Sequence, residues 1–172
     1  RYNLIWDKEL VSGFLNAKRM PMRSHEDILV FYKSLPTYNP QMTTGQPLHG
    51  KGTSYKNKDV TNNCYGDIKG TEDDRKGSTE KYPTSIVRFQ KPHPSCAVHP
   101  TQKSVELCEW LIKTYTNEGE TILDNCMGSG TTGVAAINTD RNFIGIELTE
   151  KYFKIAEYRI NSAVEDKRCQ LF

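Results

Sequence analysis

Hydrophobic and polar positions alternate at the start of the chain. Tyr2-Asn3-Leu4-Ile5-Trp6 predicts a strand, and His25-Glu26-Asp27 followed by Ile28-Leu29-Val30-Phe31-Tyr32 predicts a second. The loop between them carries Lys18, Arg19, Pro21 and Arg23. From Pro36 to about Pro94 the alternation fades into Gly, Thr, Asn, Lys and Pro, and only Ser85-Ile86-Val87-Arg88-Phe89 still reads as a strand. Such a stretch inside a domain predicts a functional or mobile insertion. Helical spacing begins after Pro100. Ser104 is an expected N-cap for Val105, Leu107, Cys108, Leu111, Ile112 and Tyr115, and Gly119 is the expected stop. Thr121 to Cys126 then predicts a short strand running into Gly128-Ser129-Gly130. A small-residue helix follows over Thr131 to Thr139, then a strand over Asn142 to Leu148. The last helix starts near Thr149-Glu150 and turns Phe153, Ala156, Ile160 and Ala163 inward. Strand, helix, strand, helix in this order predicts an α/β fold with a parallel sheet and covered faces.

Composition narrows the class. At 172 residues, 36% hydrophobic and 26% charged, the chain is sized for one domain with one core. No stretch approaches the ~20 apolar residues of a bilayer span. No signal peptide is read at the N-terminus, and a start at Arg1 instead of Met leads to the expectation of a processed or truncated piece. Five cysteines (Cys64, Cys96, Cys108, Cys126, Cys169) with no Cys-x-x-Cys pair argue against a disulfide framework and a four-sulfur zinc site, and point to a reducing, cytoplasmic setting. His93, Cys96 and His99 are spaced at three. They stand among Pro92, Pro94 and Pro100 with no fourth ligand nearby, so no metal site is expected. The net charge of +2 divides into +5 over residues 1–91 and −3 over residues 92–172, a bias compatible with a polyanion lying on the first part.

Gly128-Ser129-Gly130-Thr131-Thr132-Gly133 fits G-x-G-x-x-G between a strand and a helix. Glu147 ends the next strand nineteen residues after Gly128, where a ribose-binding acid is needed. Glycines there let a ligand approach the backbone, and a carboxylate at the neighbouring strand tip accepts both ribose hydroxyls; the same turn also serves close helix packing. Only 39 residues follow Gly133, too few for the second half of a dinucleotide domain, so an NAD-binding oxidoreductase is the weaker alternative.

His99-Pro100-Thr101-Gln102-Lys103-Ser104, the helix after it, Ile122-Leu123-Asp124-Asn125-Cys126-Met127-Gly128-Ser129-Gly130-Thr131-Thr132, and Phe143-Ile144-Gly145-Ile146-Glu147 resemble the S-adenosylmethionine-dependent DNA amino-methyltransferases. The order resembles their permuted β group, in which the catalytic motif and target-recognition region precede the cofactor half. Tyr2 to Lys8, Gly13 to Lys18 and His25 to Lys33 look most like enzymes of phages and prophages, a likeness that also implies a restriction-modification setting. The resemblance implies a Rossmann-like methyltransferase fold, a three-layer α/β/α sandwich with its sheet incomplete in this chain. Residues 1–35 and 95–172 would form one sheet, with the cofactor half over 99–160 and a target-recognition insertion over 36–94.

By the same resemblance, S-adenosylmethionine is the cofactor. Asp124, Gly128 and Gly130 would surround its methionine half, Thr131 and Thr132 would stand at the helix start, Thr101, Gln102 and Lys103 would meet its carboxylate, and Glu147 its ribose. Duplex DNA is the implied partner, with no membrane and with a homodimer admitted. Methylation of adenine N6 is the expected reaction and cytosine N4 the alternative. The family's Pro-Pro-aromatic catalytic motif occurs nowhere in the sequence, and the nearest fragment is Tyr38-Asn39-Pro40-Gln41. The expectation is therefore a catalytic segment upstream of Arg1, and a truncated, non-catalytic DNA-binding module is a further alternative. Lys18, Arg19, Arg23, Lys51, Lys56, Lys58, Arg75 and Lys76, interleaved with Tyr55, Tyr65 and Tyr82, are candidate phosphate contacts.

Overall fold

The structure, a computed structural model, describes residues 1–47, 60–62, 66–68, 77–93 and 95–169. The chain divides into two compact units, one of residues 1–41 and 84–172 and one of residues 42–83. The insertion expected over 36–94 is thus narrower as a compact unit, and the strand near Val87 belongs with the larger one.

In the larger unit, β1 (Tyr2–Ser12) is the central strand. It pairs antiparallel with β2 (Arg23–Val30). Alternation decides its faces: Leu4, Trp6 and Lys8 are buried, and the residues between them are not. The strand runs six residues past its expected end because Glu9 takes a positive φ (56°) and donates its N–H to Asp7 Oδ1, an irregularity that lets pairing resume at Ser12.

The smaller unit contains four short strands among its described residues. β3 (Thr43–Thr44) pairs antiparallel with β6 (Glu80–Lys81), and β4 (Val60–Asn62) with β5 (Gly66–Ile68). Lys51, Lys56, Lys58, Arg75, Lys76, Tyr55 and Tyr65 lie outside the described residues.

The chain then returns to the larger unit. β7 (Ile86–Arg88) pairs in parallel with β1, and α1 (Val105–Tyr115) starts at Ser104, whose hydroxyl accepts the Leu107 N–H as the N-cap pattern requires. β8 (Thr121–Asp124), α2 (Thr131–Asn138), β9 (Asn142–Gly145) and α3 (Glu150–Cys169) follow, with β8 and β9 in parallel.

Three expectations are corrected here. The strands of the larger unit form two separately bonded sheets, β2-β1-β7 and β8-β9, instead of one. Both edges of β1 are taken, by β2 and β7, so neither is open to β8 or β9. Packing joins them through α1. Its Leu107, Trp110 and Leu111 meet Trp6 and Val87, while its Ile112, Cys108 and Val105 meet Ala135, Ala136, Ile122 and Phe143. Helices gather on the Ile122 and Phe143 side of β8-β9; Leu123, Ile144 and Ile146 on the alternate positions are exposed. On α3, Ala156 and Ala163 are buried, but Phe153, expected inside, is 41% exposed.

The end of α1 is the third. Gly119 does not stop it; Thr116 does, in extended conformation, and Gly119 (φ 81°) sits in the turn beyond. Side chains supply the termination. Asn39 Nδ2 reaches the carbonyls of Lys113 (3.2 Å) and Thr116 (3.0 Å), Asn39 N–H donates to Thr114 O at 2.8 Å, and Arg141 donates to Thr116 O at 2.8 Å. The fragment nearest a catalytic motif is therefore a clasp on a helix end. Asn39→Ala removes the side-chain bonds and is expected to cost about 1–2 kcal/mol. In a chain of this size that is a fall of roughly 3–6 °C in Tm, read by circular dichroism.

Candidate cofactor site at the β8 and β9 tips

Parallel pairing brings the carboxyl ends of β8 and β9 to one edge, where the glycine turn leaves β8. Asp124 closes β8, and its two oxygens serve that turn. Oδ1 accepts the Cys126 N–H at 3.1 Å, and Oδ2 accepts the Thr132 hydroxyl at 2.7 Å. Glu147 stands just past β9. Its Oε2 accepts the Gly128 N–H at 2.9 Å, and its Oε1 accepts the Thr149 N–H at 2.8 Å. The carboxylates of neighbouring strands thus grip opposite sides of one loop. The Thr149 N–H, assisted by the Gly128 N–H, holds Glu147 below the usual carboxylate value against its desolvation. Each Glu147 oxygen keeps a lone pair for a ligand hydroxyl.

The three glycines answer to different neighbours. At Gly130 (φ 76°) a β-carbon would fall 2.8 Å from Ala156 Cβ and 2.9 Å from Ala156 Cα, and at Gly133 it would run into Ile160 and Phe143. Those two positions are small because α3 and β9 lie against α2, the packing use of such glycines. Gly128 (φ 53°) differs. A β-carbon there would lie in ordinary contact with the His99 ring, 3.5 Å from Nε2, so the positive φ and not crowding calls for glycine.

The residues around Pro100 separate. Thr101 turns its N–H and hydroxyl to His99 Nδ1, both at 3.2 Å, and His99 in turn covers Gly128. Gln102 Oε1 accepts the Val98 N–H, bracing its own loop. Lys103 is engaged with Glu26 Oε2 at 2.6 Å, with its ammonium 5.7 Å from the centre of a Trp6 ring. Glu26 also receives Lys8 at 3.5 Å. Burial pulls the Glu26 carboxyl up, and the Lys103 hydrogen bond with the charges of Lys103 and Lys8 outweighs it, leaving the pKa below 4.5. The stability this contributes is complete above the ordinary carboxylate value and is lost as pH falls through the lowered one. Glu26→Gln is expected to flatten the acid limb of a plot of urea midpoint against pH; an unchanged limb would show that Glu26 contributes nothing.

Sequence reasoning weighed His99 as a metal ligand and as part of the motif around Pro100, and did not single out Tyr152 or Arg159. Arg159 Nη1 donates to Ser129 O at 2.5 Å and Ser129 Oγ at 3.0 Å, fastening the middle of the glycine turn to α3. An arginine three residues after the alanine that contacts Gly130 carries the only local signal of this, as helical spacing puts both on one face. Cys108, against Thr132, is a packed thiol that burial pushes up to about 11. The Nδ1 atoms of His93 and His99 are directed to Ser95 and Thr101 respectively. Among the described residues no helix is long and apolar enough to cross a membrane.

Comparison with known proteins puts this geometry in context. A family described as DNA methylase matches residues 1–158. The Type II methyltransferase M2.DpnII of Streptococcus pneumoniae is 49% identical over 67 residues, 39% of this chain and 25% of that protein. The DNA adenine methyltransferase YhdJ of Escherichia coli K12 is 43% identical over 65 residues, 38% of this chain and 22% of that one. Among solved structures, that of the M1.HpyAVI complex with S-adenosylmethionine superposes with a TM-score of 0.61 and 29% identity, covering 94% of this chain and 62% of the other. The match to the two curated relatives thus spans about a quarter of their length. The fold is that of Rossmann-like α/β methyltransferases.

Proposed function

Since the chain belongs to the DNA methylase family, we propose that it is the cofactor-holding part of a methyltransferase that moves a methyl group from S-adenosylmethionine to an exocyclic amine in duplex DNA. The observation that carries this reading is the Glu147–Gly128–Asp124 loop grip at the strand tips, in a fold that superposes on the S-adenosylmethionine complex of M1.HpyAVI. Its features fit the group. Gly128, in left-handed backbone (φ 53°), carries no side chain at the turn, and Glu147 offers acceptors for a ribose diol. The α2 N-terminus, with first-turn N–H groups that no helical carbonyl can satisfy, favours a carboxylate.

In this reading Glu147 orients the ribose, while Asp124 and Arg159 keep the glycine turn in shape. Gly128, Thr131 and Thr132 line the approach. Lys103, paired with Glu26, has further ammonium donors for the carboxylate of the amino-acid end. When bound, S-adenosylmethionine supplies an electrophilic methyl on a sulfonium, and no metal is required. Activation of the amine needs groups of the Pro-Pro-aromatic type, which the 172 residues do not contain. Residues 42–83 are proposed as the target-recognition unit; a compact body of its own and the basic residues of that stretch support this.

Adenine N6 is the proposed acceptor, supported by the likeness to a DNA adenine methyltransferase. Family membership replaces the oxidoreductase alternative. The test is incubation of the chain with methyl-labelled S-adenosylmethionine and unmethylated duplex DNA, alone and with a methyltransferase fragment bearing the Pro-Pro-aromatic motif. The DNA is then hydrolysed to nucleosides. Label in N6-methyladenine only with the added fragment is the expected result. Label in N4-methylcytosine would reverse the choice of base, and transfer by the chain alone would contradict the proposed division of roles.

A further inference from the structure

The connection from β1 to β2 is built as a finger. Ser12 pairs with Arg23 at its base, where Lys8 Nζ donates to Ser12 Oγ at 3.3 Å and Ser12 Oγ donates to the Arg23 carbonyl at 3.4 Å. Beyond that closure the backbone bonds to itself. Gly13 takes a left-handed φ of 91°, Phe14–Asn16 form a single turn of 3-10 helix, and the Arg19 and Met20 N–H groups both donate to the Asn16 carbonyl, at 2.8 and 3.0 Å. The tip therefore has a fixed shape, yet every residue from Gly13 to Arg23 is exposed. Phe14 is 80% exposed, Leu15 95% and Met20 52%, so these apolar side chains contribute nothing to the core. They share the finger with cations. Residues 10–24 contain Lys18, Arg19 and Arg23 and no acidic residue, and none of the three has an ion pair among the described residues.

The finger rises from the edge that carries the proposed cofactor site. Lys8, which braces its base, also meets Glu26; Glu26 holds Lys103 at 2.6 Å, and Lys103 belongs to the loop whose His99 ring lies against Gly128. We propose that this finger is a wedge for duplex DNA: Lys18, Arg19 and Arg23 neutralise phosphates, while Phe14 and Leu15 enter between base pairs and open the stack beside the base to be methylated. The inference rests on the DNA methyltransferase reading above. A polyanion accounts for a run of cations without a carboxylate, and a base step is an apolar slot next to the phosphates, which a phenylalanine and a leucine on a rigid tip can fill. A base inside the duplex is out of reach of a cofactor until it leaves the stack, and prying one step open lowers the cost of that departure.

The test uses the full chain and two fluorescently labelled duplexes of one sequence, one fully paired and one with a single mismatch, titrated by anisotropy at several salt concentrations. A mismatched step is already easier to open, so a wedge favours it. The unsubstituted chain is expected to bind the mismatched duplex about tenfold more tightly. Phe14→Ser combined with Leu15→Ser is expected to erase that preference and keep the salt dependence. Lys18→Gln combined with Arg19→Gln and Arg23→Gln is expected to weaken both duplexes alike, and to reduce the slope of log affinity against log salt by about three. Thermal melts of both variants are expected to match the unsubstituted chain, because the substituted side chains are exposed. 2-Aminopurine in the paired duplex, dim while stacked, is expected to brighten with the unsubstituted chain and not with the serine variant.

Equal affinity of the unsubstituted chain for the two duplexes, or a mismatch preference that survives in the serine variant, would overturn the wedge. So would capture by phosphatidylglycerol vesicles, or self-association in sedimentation, that is lost in the serine variant while duplex binding is kept, since the tip would then serve a lipid surface or a second copy of the chain. Binding of neither duplex by the folded, unsubstituted chain would instead overturn DNA as the partner, before any variant is compared.

Discussion

Glu147→Ala is expected to weaken S-adenosylmethionine binding by about ten- to a hundredfold, the size of losing hydrogen bonds between a carboxylate and ligand hydroxyls. Two things are lost at once. The ribose loses its acceptors, and the Gly128 N–H loses the oxygen that fixes the turn. Glu147→Gln separates them, because one amide oxygen can still hold Gly128 while the charge is gone; an intermediate affinity is expected. The same carboxylate sets a pH window. Its pKa lies below 4.5, chiefly through the Thr149 N–H, so its ionised form persists at mildly acidic pH and binding fades only as pH falls through that lowered value. Asp124→Ala is also expected to weaken binding, by freeing Thr132 and the Cys126 N–H and so loosening the turn from β8. Calorimetric titration of the three variants checks all of this. Unchanged affinity in both alanine variants would remove the site from the β8 and β9 tips.

Gly130→Ala is expected to destabilise the fold by about 3 kcal/mol, the sum of a left-handed backbone strained by a side chain and an overpacked contact. A Cβ there has nowhere to go. The atoms 2.8 and 2.9 Å away are Cβ and Cα of fully buried Ala156, so α3 itself must shift. Gly119→Ala is the control, since Gly119 has a similar φ of 81° with open space around it, and only the backbone strain of about 1–2 kcal/mol is expected. Urea unfolding of both variants measures the difference. Equal losses would show that α3 does not press on the turn as described.

The sequence already displays what is local. The strand, glycine turn, helix and strand from Thr121 to Gly145 are read from alternation and turn residues because each element is determined by neighbours a few positions away. Ser104 is recognisable as an N-cap for the same reason. Partners far apart in sequence leave no such trace. Lys103 meets Glu26 across 77 positions, and Arg159 meets Ser129 across 30. The pattern G-x-G-x-x-G marks three small residues without distinguishing those set by α3 from the one that faces His99. Separate pairing of β2-β1-β7 and β8-β9 is likewise a matter of which edges are already taken, and hydrophobic alternation carries no information on that.

The central claim is that the β8 and β9 tips hold S-adenosylmethionine. Its most direct test is a calorimetric titration of the 172-residue chain with S-adenosylmethionine, with NAD as the control ligand. Saturable binding of S-adenosylmethionine alone, abolished or strongly weakened by Glu147→Ala, is the expected result. Binding of NAD in its place, or of neither ligand by a chain whose thermal melt shows that it is folded, would contradict it.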